Sequence, residues 1–104
     1  MTRIIEQKMN QAISSGQNFT SGNTTVIFTE EKTEVLLHGN KIATIGDTFL
    51  QIFDGGWQSK ITKSRLNAIL KEHGHGASIF QKNFEWFVND NGKDVPFESG
   101  MILQ

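Results

Sequence analysis

The chain has 104 residues, with ten Lys and Arg against eleven Asp and Glu, for a net charge of −1 at pH 7. Apolar residues make up 37% and charged residues 20%; this fits one folded domain over 1–104 and excludes a disordered tail, a histone-like basic binder and an acidic nucleic-acid mimic. With no cysteine there is no disulfide framework, thiolate metal site or cysteine nucleophile, and no apolar run approaches the roughly 18 residues that cross a bilayer. Charges in the first eight residues interrupt any secretory apolar stretch, so a cytoplasmic location is expected.

Ile5, Met9, Ala12 and Ile13 recur at helical spacing and Gly16 follows Ser14-Ser15, which predicts an amphipathic helix over 3–15. Residues 16–23 are rich in Gly, Asn and Ser and read as a turn anchored by Phe19. Four short β runs follow at 24–29, 34–38, 41–45 and 48–53, separated by Glu30-Glu31-Lys32, Gly39-Asn40 and Gly46-Asp47. Connections this short predict an antiparallel meander.

Two-residue loops at Gly39-Asn40 and Gly46-Asp47 would set the register. Val35, Leu37, Ile42, Phe49 and Phe53 then share one face, while Leu36, Ala43, Ile45, Leu50 and Ile52 share the other. Both faces are apolar, which predicts cover on both sides: the two helices and the C-terminal strands can supply it within the chain, and a partner subunit any remainder.

After the Asp54-Gly55-Gly56-Trp57 turn, Leu66, Ile69, Leu70 and His73 line one stripe of a central helix over 62–73. Thr62 is its expected N-cap, Ile61 and Leu66 its staple, and Gly74 its C-terminal cap. Beyond Gly74-His75-Gly76, Phe84, Trp86 and Val88 are expected to point one way along a strand. Asn91-Gly92 then turns the chain into Val95-Pro96-Phe97, completing a C-terminal β-hairpin with Pro96 on an edge. Residues 101–104 either add a final short strand or lie loose. The predicted class is α+β.

The segment 58–76 carries four cations and one anion on a chain of net −1. Lys60, Lys63, Ser64, Asn67 and Lys71 form a polar stripe beside the apolar one, with Arg65 on the other flank. Lysines, hydroxyls and free N–H groups at a helix start suit phosphate, and Ser64 and Asn67 have the groups to read base edges. An ordinary solvated face explains the same residues, although lysines at a helix start oppose the macrodipole. Trp57 and Lys82 would assist such a site.

His73 and His75 beside Glu72 invite a metal reading, but their spacing of two needs His38 and an inward carboxylate to complete it; a histidine serving the helix C-terminus is the simpler account. No catalytic pair, P-loop or nucleophile elbow is present, so neither an enzyme nor a cofactor is expected. Phe80, Phe84, Trp86 and Phe87 around Lys82 suggest a stacking platform for single strands, while core packing accounts for most of them.

The string Leu37-His38-Gly39-Asn40-x-Ile42-Ala43, then Gly56-Trp57, the run Thr62-Lys63-Ser64-Arg65-Leu66-Asn67-Ala68-Ile69-Leu70, and Gln81-Lys82-Asn83-Phe84-x-Trp86-Phe87 resembles a group of small tailed-bacteriophage proteins. The resemblance covers about 35–88 and implies a phage-encoded protein acting inside an infected bacterium, with no activity to carry onto these residues. The expectation is a non-enzymatic, homo-oligomeric domain binding nucleic acid through Trp57, Lys60, Lys63, Ser64, Asn67, Lys71 and Lys82. The alternative is a module that self-assembles or modulates a host protein.

Overall fold

The computed structural model describes residues 2–30, 32–56, 58–74 and 76–103. Helix α1 spans Thr2–Ser15 and buries Met9, Ala12 and Ile13. It ends in a Schellman arrangement: Gly16, at φ +66°, donates to Ile13 O and Gln17 donates to Ala12 O.

Five strands follow: β1 (Phe19–Ser21), β2 (Thr24–Thr29), β3 (Lys32–Leu37), β4 (Asn40–Ile45) and β5 (Leu50–Ile52). They pair in chain order, and the last strand, β9 (Met101–Leu103), closes the six-stranded sheet against β5. The turn-like composition of 16–23 conceals β1, because pairing with β2 outweighs the turn preference of the flanking Asn18, Gly22 and Asn23. The meander is therefore longer than the four strands expected.

Its register also differs. The β3–β4 turn is His38-Gly39, both at positive φ, and a bulge falls between Val35 and Leu36. Residues 46–49 form a four-residue loop in which Gly46 donates to Phe49 O. These shifts bring Val26, Val35, Ala43 and Ile52 into one register row, all fully buried. The bulge lets neighbouring Ile42 and Ala43 both be buried. The opposite face carries Thr25, Ile27, Glu34, Lys41 and Gln51 and is only partly covered. The expected pair of apolar faces is thus one apolar and one mixed face.

Helix α2 runs Lys60–His73 and starts two residues earlier than expected: Ser59 is the N-cap, its hydroxyl accepting from Thr62 N at 3.1 Å. Thr62 is buried inside the first turn, and Ile61 is 43% exposed instead of stapling the helix. Gly74 N–H caps the far end on Leu70 O.

A second, three-stranded sheet follows, β6 (Ala77–Lys82), β7 (Glu85–Asp90) and β8 (Lys93–Pro96), with Pro96 on its edge strand. Here Phe84 is not a strand residue aligned with Trp86 and Val88; it occupies the β6–β7 turn with Asn83. The inner faces of both sheets and the two helices share a core that includes Met9, Val35, Leu66, Ile69, Ile79, Trp86 and Val88.

Candidate functional site

The α2 stripe is built differently from its sequence pattern. Arg65 is not a flanking surface cation but a buried tie, 2% exposed. Its Nη1 donates to Glu6 Oε2 at 2.9 Å, its Nε to Thr24 Oγ1 at 2.9 Å and its Nη2 to Asn23 Oδ1 at 3.3 Å. Ser64 donates to the same Glu6 oxygen at 2.6 Å. One carboxylate therefore fastens α1 to α2, and one guanidinium fastens both to the β1–β2 turn.

Asn67 has a comparable internal role. Its amide donates to Ile79 O at 2.9 Å and accepts from Ile79 N at 2.7 Å, so it acts as a one-residue strand on the free edge of β6. Of the predicted stripe, Lys60 and Lys71 remain exposed and Lys63 half-buried; none of the three makes an ion pair among the described residues. Trp57 lies outside the described residues. Lys82 is exposed at the end of β6, directly opposite Glu85.

A groove of about 670 Å³ runs between the helices, with Glu6, Asn10, Ser64, Asn67, Lys71 and Glu72 in its lining. Asn10 donates to Ala68 O at 3.0 Å, while its own side-chain oxygen is buried without a partner among the described residues. Arg65 neutralises Glu6, leaving Lys71 beside Glu72, so this groove offers no net positive lining to a phosphate.

The histidines are not gathered. His38 sits in the exposed β3–β4 turn, whereas His73 closes α2 against the 46–49 loop in a cavity of about 150 Å³; His75 lies outside the described residues. Burial lowers the His73 pKa, the Glu72 carboxylate partly opposing it, and its Nε2 is buried without a partner among the described residues.

The three-stranded sheet divides the aromatic cluster around Lys82 that the sequence groups together. Phe80, Phe87 and Pro96 form a register row on the face opposite Trp86 and Val88. The two Phe rings stack at 5.6 Å between centroids and 19° between planes. At the tip, Asn83 and Phe84 have φ of 52° and 64°, the left-handed pair of a type I′ turn, and Phe84 is 94% exposed. The signal was available in the near-mirror order Ile-Phe-Gln-Lys before Asn83-Phe84 and Glu-Trp-Phe-Val after it.

No helix among the described residues is long and apolar enough to cross a membrane. No curated protein and no solved structure matches the chain. A family model does match, over residues 2–104, and its breadth agrees with the phage resemblance of the central segment: the chain belongs to the bacteriophage family described as Kyanoviridae Gp96 protein.

Proposed function

We propose that this phage protein is a non-enzymatic binding module that docks on a protein surface through the outer face of β6–β8, anchored by Phe84. The observation that carries this reading is a phenylalanine 94% exposed in a backbone conformation that favours glycine. A left-handed conformation costs an L-residue about 1–2 kcal/mol, and an exposed ring returns none of it through burial. Aromatic side chains are also the usual anchors of protein interfaces. At the anchor, Lys82 and Glu85 stand opposite each other across the turn, so the tip carries no net positive charge, which suits a protein surface better than a polyphosphate.

The rival reading is nucleic-acid binding by α2, favoured by Lys60, Lys63 and Lys71 having no ion-pair partner among the described residues. Crosslinking in infected cells and salt-titrated oligonucleotide binding separate the two. Phe84→Gly is expected to remove the protein crosslinks, and a triple Lys60→Glu, Lys63→Glu, Lys71→Glu variant to keep them. An oligonucleotide complex that weakens steeply with salt and vanishes in the triple variant would overturn the docking proposal.

A further inference from the structure

Both edges of the β6–β8 sheet are poor templates for an added strand. On the β6 edge, Asn67 occupies the N–H and C=O of Ile79, and Ala77 N–H is spent on Gly74 O. On the β8 edge, Phe97 N–H bonds Trp86 O, so alternation turns Asp94 and Pro96 outward, and proline has no N–H to give. Neither edge can carry the ladder of a β-augmenting partner, which leaves the outer face.

Across that face, Phe80, Phe87 and Pro96 follow one another on adjacent strands. Adjacent strands stand about 4.8 Å apart, so Phe80 and Pro96 mark two sites about 9.6 Å apart. A polyproline II segment presents the same side every three residues, about 9.3 Å along its axis. Two turns of an α-helix, about 10.8 Å, overshoot the row. Polyproline II also leaves its carbonyls without internal partners, and donors for them flank the row. Exposed Ser78 and Lys82 stand before and after Phe80 on the same face of β6. A helix would leave those donors unused, because its own ladder occupies its carbonyls.

Charge gives the row a direction. Lys82 and Glu85 stand opposite each other and offset. Asp94 is exposed on this face beside Pro96, and the bond it accepts from the Asn89 amide at 2.7 Å leaves its charge in place. The Pro96 end of the row is therefore negative and suits a cation.

We propose that the partner presents a proline-rich segment in the polyproline II conformation, laid across Phe80, Phe87 and Pro96 with a basic residue beside Asp94. This rests on the docking role of the β6–β8 face and adds the class of sequence that the face accepts. Phe84, beyond the Lys82–Glu85 pair, is left to anchor the surface that carries the segment.

Titration with a labelled oligoproline peptide ending in arginine, followed by fluorescence and by amide shifts, tests it. The peptide should bind saturably and shift the amides of Ser78, Phe80, Phe87 and Asn89. Asp94→Lys should weaken this peptide several-fold and strengthen a matching peptide that ends in glutamate. Phe80→Ala, its fold checked by melting, should lose both peptides; the charge swap at exposed Asp94 tests the site even if Phe80→Ala does not fold. No saturable binding, shifts confined to another face, or tighter binding of a helical peptide overturns the proline-rich segment. If Phe84→Gly then still loses its protein crosslinks in infected cells, docking through this face stands with a partner of another class; if it keeps them, that reading falls as well.

Discussion

Helix α2 and the β6–β7 hairpin are joined through the Asn67 amide, yet they place their polar and apolar groups in opposite senses. On α2 the residues with the chemistry to read a ligand, Ser64, Arg65 and Asn67, are engaged inside the fold. On the hairpin a residue with the chemistry to fill a core, Phe84, points to solvent. Residue type alone therefore misleads in both places, because what matters is which partner the fold brings within reach.

The largest expected effect is on the α2 side. Replacing Arg65 by Met leaves Glu6 without its cation, and breaking a buried pair from one side costs about 3–5 kcal/mol. The Glu6 side chain keeps 16% exposure, so the low end, about 3 kcal/mol, is expected in urea unfolding. A Glu6→Gln, Arg65→Met double variant should recover part of that loss. Asn67→Ala follows, at about 2 kcal/mol, because it strands the N–H and C=O of Ile79 together. If both variants melt like the wild type, the internal role assigned to the stripe is wrong.

The hairpin side is sharpened by its neighbour in the same sheet. Asn91-Gly92 forms the β7–β8 turn with φ of 54° and 89°, the same left-handed pair as Asn83-Phe84 but with glycine in second place. Phe84→Gly should raise stability by about 1 kcal/mol, and Gly92→Ala should lower it by a similar amount. A hairpin tip that gains stability when its aromatic is removed has kept that aromatic for something other than folding. Calorimetric melts of the two variants, read beside the crosslinking result for Phe84→Gly, separate the roles.

The helices were legible because their apolar spacing and stop signals are local: α1 falls within one residue of its expected span. The strands were legible as runs but not in register. A turn moved from Gly39-Asn40 to His38-Gly39 and a bulge at Val35/Leu36 change which residues face inward, and neither leaves a signature in alternation. Burial of Arg65 was beyond local reading, since its partner Glu6 lies on another helix, 59 residues away in the chain. The lysine stripe was legible as a pattern, but Ser64 and Asn67 gave no sign that tertiary partners would occupy them.

His73 extends the comparison to the far end of α2. Burial holds its pKa below 6.5, so the unfolded chain takes up the proton first as pH falls. This contribution is complete above about pH 6.5 and declines as pH drops through the lower folded value. His73→Gln should flatten that part of the stability profile, as followed by melting temperature against pH. An unchanged slope would remove His73 as its source.

The smallest effects belong to the lysines, and their signs are informative. Lys60 stands in the first turn, against the positive end of the helix dipole, while Lys71 stands in the last turn, where a cation is favourable. Lys60→Glu should therefore raise stability by about 0.5 kcal/mol and Lys71→Glu should lower it by a similar amount, so their combination nearly cancels. A double variant with an unchanged melting temperature can then be used for binding without correction for folding. If it associates with protein as the wild type does, contact is confined to the hairpin side; if it loses a salt-steep complex with oligonucleotides, the unfavourable placement of Lys60 acquires a functional reason and α2 becomes the working face.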